Sequence, residues 1–339
     1  MRKFALVLVV LIAAAGTGAY VEYGRLHEPY QGFTTEQFVD IPQGAGSRAI
    51  GQRLVGGGVV RDTLTFRVAL WMSDDGRKLK AGEYRFDHPM TPLDVLGKIA
   101  RGEVYTIAVT FPEGLTIPEM AKIFEAHGFG PRAAFVAAAA DRSLVADVDP
   151  AATDLEGYLF PDTYLLPRKT DASRLVKMMV ERFRKALTPE IADGARARGM
   201  SVRQLVTLAS IVEKETGKAD ERPIVAAVYA NRLRIGMPLQ CDPTVIYALT
   251  RAGTYDGNIR REDLAVDSPY NTYRVAGLPP GPIASPGKPS LAAAAHPADA
   301  DYLYFVSRND GSHEFSRTLE EHNRNVQKYQ VQYFRHRPT

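Results

Sequence analysis

An α+β protein behind a single N-terminal membrane helix is the fold class this sequence predicts, and three observations predict it. An uncharged apolar run opens the chain. Stretches with helical periodicity then alternate with short strand-like stretches, and part of that pattern recurs at an offset of seventy residues, Val39 against Val109. Near the C-terminus two strand-like stretches flank Asp310-Gly311, a hairpin signal.

Composition bounds the rest. The 339 residues are 45% hydrophobic and 24% charged. That is globular and long enough for about two or three cores. The formal net charge is +3 without a basic block, which disfavours a dedicated nucleic-acid binder. Cys241 stands alone, so no intrachain disulfide or multi-cysteine zinc site can form. The histidines are scattered, and His313-Glu314 lacks the second histidine of a His-Glu-x-x-His motif. There is no Gly-x-Ser-x-Gly elbow and no phosphate-binding loop. Serine hydrolases of that type, P-loop NTPases and zincins are removed, and no metal site is expected.

Taken in order, Arg2 and Lys3 precede Phe4 to Val21, eighteen uncharged residues and just enough to cross a bilayer. Positive charge on the short side keeps that end in the cytoplasm and puts the remainder outside. Ala13-Ala14-Ala15 leaves a cleavable signal peptide as the alternative. The length of the run, and Tyr20 and Tyr23 at its outer edge, favour an uncleaved anchor over residues 1–25, with a linker over 26–38. The repeat follows: Pro42 matches Pro112, Gly44 matches Gly114, Ile50 matches Met120, Leu54 matches Phe124 and Gly58 matches Gly128. Each copy reads as a strand, a Pro-x-Gly turn and a helix stopped by glycine. A helix over Val59–Met72, a strand over Leu79–Phe86 and a capped helix over Thr91–Ile99 complete a strand–helix–helix–strand module, read either as a binding unit or as a packing partner.

Thr153 to Leu166 is aromatic-rich and broken by Gly157 and Pro161, which reads as a loop lining a groove. Helices are expected over Asp171–Leu187 and Arg222–Gly236. Gln240 to Thr244 reads as a polar loop ahead of a short helix, which Asp242 would cap if it braces the loop. Asp267 to Pro286 holds five prolines and two glycines in twenty residues, so it is neither helix nor central strand. A long rigid loop of this kind is usually functional. Its Tyr270-Asn271-Thr272-Tyr273 block suits sugars, because tyrosine faces cover C–H patches and amides bond hydroxyls. A helix over Ser290–His296, strands over Tyr302–Ser307 and His313–Ser316, and a last helix over Leu319–Phe334 follow.

The most informative stretch is Ser201 to Thr216. Ser201 is a plausible N-cap, and Val202, Leu205, Val206, Leu208, Ala209 and Val212 share one helical face. At ~100° per residue from Leu205 that face centres near ~20°, with Glu213 near ~80°, Lys214 near ~180° and Glu215 near ~280°. Glu213 therefore borders the apolar stripe while Lys214 faces solvent. A carboxyl group against apolar surface is pushed toward its neutral form. That suits a general acid. The other reading is a rim glutamate paired with an arginine, and the charges between Glu221 and Arg232 keep it open. For glycoside hydrolysis a second carboxylate is usual, with Asp242, Glu156 and Asp162 as candidates.

The segments Glu156–Tyr164, Leu208–Thr216, Asn231–Leu249, Ser268–Gly287, Ala294–Pro297 and Tyr302–Asn323 together resemble the endolytic murein transglycosylase (MltG, YceG-like) family, in that family's order and over roughly residues 40–332. The resemblance implies a LysM-like module over 39–105 and a mixed α+β catalytic domain over 106–335. It implies an endolytic peptidoglycan lytic transglycosylase that needs no cofactor, anchored in the inner (plasma) membrane with its catalytic domain outside the cytoplasm. Glu213, the first glutamate of Glu-Lys-Glu, matches the family's catalytic residue. It would act as acid on the MurNAc–GlcNAc bond, then as base on the C6 hydroxyl, closing a 1,6-anhydro end. Gln240, Asp242, Thr244, Tyr270, Asn271 and Thr272 are the expected glycan-groove residues, each with loop bracing as its alternative role. Cys241 departs from the serine or threonine expected in relatives. Nascent glycan strands and the membrane are the partners to expect, with cell-wall synthases or divisome proteins beside them. A non-catalytic peptidoglycan-binding scaffold and a muramidase-type hydrolase are the competing readings.

Overall fold

The computed structural model describes residues 2–73 and 78–335. They fall into two compact units, the first reaching Ala108 and including Leu165–Arg168, the second made of Val109–Tyr164 and the chain from Lys169 onward.

The first unit opens with α1 (Arg2–His27). Among the described residues it is the one helix long and apolar enough to cross a membrane. Met1 and the side chains of Arg2 and Lys3, on which the orientation reading rests, lie outside the described residues. The expected linker is not free chain at its start. Leu26 is buried in the module's core, and Glu22 accepts a hydrogen bond from Thr65 Oγ1 at 3.0 Å. Burying Leu26 extends the helix beyond its lipid-length run. Strand β1 (Gln37–Ile41), α2 (Ser47–Gly56), α3 (Thr63–Met72) and β2 (Gly82–Phe86) follow, and β1 pairs antiparallel with β2, Val39 opposite Tyr84. Helix α3 starts at Thr63 rather than Val59, because Asp62 caps the Thr65 N–H while Val59 and Val60 are buried in the turn before it. Helix α4 (Pro92–Arg101) has the Thr91 cap expected of it. Leu54, Phe66, Tyr84, Phe86, Leu96 and Ile99 form the core. Arg168 joins this unit through a two-pronged pair with Glu83 (2.7 Å each) and by lying over the Phe38 ring.

The second copy of the repeat has the same order: β3 (Ile107–Thr110), α5 (Ile117–Ala126), α6 (Arg132–Ala139) and β4 (Thr163–Leu166), with β3 paired to β4. Gly44 and Gly114 share a left-handed conformation (φ +76° and +77°), as do Gly58 and Gly128 (φ +66° and +75°). The stretch expected to line a groove does not. Leu155 to Leu159 are buried, and Tyr164 and Leu166 alternate inward from a strand. The structure thus corrects the groove-lining reading: apolar side chains on both sides of Gly157 take the segment inside.

Helices α7 (Ala172–Ala186), α8 (Pro189–Ala197), α9 (Val202–Glu215), α10 (Arg222–Arg234), α11 (Asp242–Ala252) and α12 (Lys288–Ala295) form the body of the second unit. The hairpin β5 (Tyr304–Ser307) and β6 (His313–Ser316) follows, then α13 (Leu319–Val326), which continues as a π-helical stretch over Gln327–Gln332. Helix α9 is central. Every residue from Leu205 to Val212 is buried, including Thr207 and Ser210 on its polar side. The one-sided stripe read from the sequence is too narrow, because α8, α10, α11 and α12 all pack against this helix. The alanines of α12, Ala293 to Ala295 among them buried, keep that neighbour thin.

Candidate active site

Three segments of the second unit meet at the end of α9. The proline-rich loop expected from Asp267 to Pro286 is irregular, and its last part runs along α9. Arg203 donates to the Pro280 carbonyl (2.7 Å), Ser210 Oγ accepts from the Ile283 N–H (3.1 Å), and Glu213 Oε2 accepts from the Gly287 N–H (2.9 Å). The turn at Pro112–Gly114 is stitched to the same loop. The Gly114 N–H bonds the Ser285 carbonyl (2.9 Å), and the Ser285 N–H bonds the Leu115 carbonyl (2.8 Å). Lys214, exposed as the wheel predicts, donates to the Gly114 carbonyl. Gly157 closes the far side: at φ +83° a Cβ there would lie 2.5 Å from Pro282 and 2.9 Å from Val206.

These segments bring two carboxyl groups together. The Glu213 side chain is 6% exposed, and its Oε1 lies 3.4 Å from Arg222 Nη2. The same Nη2 lies 3.7 Å from Glu113 Oε2, whose side chain is 41% exposed. The Glu113 and Glu213 carboxyls are near enough for the charge of one to act on the other. Glu113 lies directly on Gly287, where a Cβ would fall 1.8 Å from its Oε1 and would displace its carboxyl. Burial raises the Glu113 pKa, and the like charge of Glu213 raises it further, against the lowering effect of Arg222. One guanidinium serves two carboxyls here. Glu213 thus has the arginine partner of the second reading, and that partner is shared with another carboxyl. Arg222 Nε and Ser285 Oγ are buried beside these segments without a hydrogen-bond partner.

Glu215 lies on another side of α9. Its carboxyl accepts a hydrogen bond from the Tyr229 hydroxyl (2.5 Å), and burial raises its pKa. Cys241 is also buried.

The six expected groove residues divide by exposure. Gln240 is exposed and holds a left-handed backbone (φ +48°), unusual for a non-glycine residue. Asp242 is exposed and accepts from Tyr273 (2.6 Å). It does not cap its helix, because α11 begins at Asp242 itself with Cys241 at the N-cap position and no side-chain cap bond. Tyr270 is half-buried, its ring 5.0 Å from Tyr247 and under the Arg251 guanidinium. Thr244, Asn271 and Thr272 are buried. Thr244 and Thr272 share a hydroxyl–hydroxyl bond (2.9 Å), Thr272 also accepts from the Cys241 N–H, and Asn271 donates to the Leu264 and Val266 carbonyls. Among the described residues no hydrogen bond or ion pair joins any of the six to Glu213. The three candidate second carboxylates are engaged elsewhere: Asp242 with Tyr273, Asp162 with Arg182, and the buried Glu156 with the Ile117 N–H. Glu156 is raised to about 8, chiefly by burial.

The YceG-like family model matches residues 39–328. This chain belongs to the YceG-like family. Its relatives include the endolytic murein transglycosylase of Bacillus subtilis, 32% identical over 330 residues, covering 92% of this chain and 90% of that protein. The endolytic murein transglycosylase of Streptococcus pneumoniae D39 is 30% identical over 362 residues, and the chain spans 65% of its length. A crystal structure of a yceG-like protein from Listeria monocytogenes superposes with a TM-score of 0.58 at 33% identity, covering 85% of this chain and 98% of that one. In this YceG-like chain the sequence pattern pointed at Glu213 and left an arginine partner open, which is Arg222. It gave no sign of Glu113 or Gly287. The Pro-x-Gly repeat marked the turn at Glu113, but nothing in a repeat says which helix the turn will meet.

Proposed function

We propose that this protein is an endolytic murein lytic transglycosylase, cutting MurNAc–GlcNAc bonds within glycan strands to leave 1,6-anhydro ends. The single observation that carries the reading is Glu213, a carboxyl nearly closed from solvent that shares the Arg222 guanidinium with a second carboxyl, in a chain aligned along almost its whole length with relatives of that name. Glu213 protonates the glycosidic oxygen and then takes the proton of the muramoyl C6 hydroxyl, whose oxygen closes on C1. Water takes no part.

The engagement of the candidate second carboxylates supports this over hydrolysis. A hydrolase usually sets a second carboxylate across the sugar from the acid, whereas Asp242, Glu156 and Asp162 are taken up by Tyr273, the Ile117 N–H and Arg182. On the same reading Gln240, Asp242 and Tyr270 contact the glycan, while Thr244, Asn271 and Thr272 brace the loops that present them. The module over 39–105 is LysM-like and holds murein, and residues 1–25 anchor the chain with its N-terminus in the cytoplasm and the catalytic domain over 106–335 outside. Synthases or divisome proteins at that membrane are its expected neighbours. Mass analysis of products from purified glycan strands tests the reaction: anhydro-muramoyl ends that disappear in Glu213→Gln support it. Reducing ends would move the enzyme to the muramidases. A Glu213→Gln chain that complements a deletion as well as wild type would make it a scaffold.

A further inference from the structure

We propose that Glu113 and Glu213 act as one unit holding a single proton, with Glu113 as the positioning partner that keeps that proton available to Glu213. This rests on the transglycosylase reading above and deepens it. The geometry carries it. The two carboxyls share one guanidinium, with Arg222 Nη2 3.4 Å from Glu213 and 3.7 Å from Glu113, and Gly287 supplies both the N–H on Glu213 and the bare Cα against which Glu113 rests. The charged groups facing the pair are Arg222 from the start of α10 and Lys214 from α9, the latter bonded to the Gly114 carbonyl.

A lytic transglycosylase must give a proton and take one back at the same place. A lone carboxylic acid is suited to the first task and a lone carboxylate to the second. Two adjacent carboxyls sharing one proton do both, because like charges at this distance resist ionising together. The proton leaves the pair for the glycosidic oxygen as the C1–O4 bond breaks, and GlcNAc departs as the alcohol. The C6 oxygen bonds C1, and its proton returns to the now doubly ionised pair. Atoms and charge balance with no other reactant. Glu113 is the more open member, and Arg222 keeps the doubly ionised state from being prohibitive.

The test is steady-state kinetics of the full chain in detergent on glycan strands, counting anhydro ends across pH, for wild type, Glu113→Gln and Glu113→Asp, with melting temperatures as a fold check. Glu113→Gln should lower kcat about 10²-fold at neutral pH, in the range of general acid–base effects, with KM within about twofold. The loss should shrink on acidification, where solvent supplies the proton that the pair would otherwise hold. Glu113→Asp should retain more activity than Glu113→Gln, and it carries the test if the amide does not fold. Wild-type kcat and pH profile in Glu113→Gln would overturn the proposal, as would a loss of equal size at every pH. If wild type itself leaves no anhydro ends, the functional reading fails and the pair's role fails with it. Anhydro ends from wild type alongside an unaffected Glu113→Gln would remove the pair alone.

Discussion

The chain builds the same turn twice and uses it differently. Pro42-Gln43-Gly44 and Pro112-Glu113-Gly114 each follow a strand, each put glycine in the left-handed region, and each lead into a helix. Around Gly44 the space is empty: a Cβ there would meet nothing within 4 Å. At Gly114 a Cβ would lie 3.6 Å from both Glu213 Cγ and Lys214 Cδ. Helix α2 starts at a glycine N-cap with no side-chain bond, whereas the first N–H of α5, that of Ile117, is taken by the buried Glu156. Local sequence therefore sets the turn, and what packs over it leaves one copy open and makes the other part of the candidate site.

Several substitutions would break or sharpen this contrast. The largest effect is expected at Glu213. Glu213→Gln should remove at least about 10³-fold of the rate, given that general acid–base catalysis contributes on the order of 10²–10⁴-fold, and leave the melting temperature near wild type. Residual anhydro product at wild-type rate would place the chemistry elsewhere.

The second concerns pH. Glu156 has its pKa raised to about 8 by burial, so between its ordinary range and about 8 the folded state holds a proton the unfolded chain has lost. Stability is then greatest below pH ~4.5 for this group and falls by up to about 1.4 kcal/mol per pH unit as pH rises toward 8, levelling beyond it. Glu156→Gln should flatten that slope in urea titrations from pH 5 to 8. Among the described residues no side chain caps the start of α2, so Gly46→Ala should leave the slope unchanged.

The turns themselves provide the third. Gly44→Ala and Gly114→Ala each place alanine at positive φ, costing roughly 1–2 kcal/mol by thermal melting. Activity separates them: Gly44→Ala should keep its kcat, while Gly114→Ala should lose about tenfold as the 113–114 turn shifts against α9, in keeping with the rate cost of misplacing a catalytic group. Equal activities would show that the second turn is no more than scaffold. A smaller change in stability than at the two glycines is expected at Gln240→Gly, which relieves the left-handed backbone and should stabilise the fold by up to about 1 kcal/mol. KM for glycan strands should rise if the Gln240 side chain binds substrate, and an unchanged KM would take it out of the groove.

Much of this was legible before any coordinates. Periodicity and caps located α4, α7 and α9 to within a residue or two, since Thr91, Asp171 and Ser201 each accept the N–H their position predicts. The repeat located both pairs of left-handed glycines, Gly44 with Gly114 and Gly58 with Gly128. The prolines of Asp267–Pro286 announced a long irregular segment. Burial was harder to read. Thr207 and Ser210 look like a polar face but are enclosed, because α9 is surrounded, and Leu26 looks like linker but is core. Thr244, Asn271 and Thr272 look like sugar ligands in one dimension. In three dimensions their polar atoms are already bonded to the loops that carry them.

Sequence alone determined the apolar N-terminal helix, the doubled turn and the placing of a glutamate at the edge of an apolar helix, because each depends on residues within a few positions of one another. Only the tertiary structure decided that Glu213 would meet Glu113, a hundred residues earlier, across the bare backbone of Gly287. Pairing two carboxyls depends on how separate segments pack, and no periodicity within either segment encodes that distance.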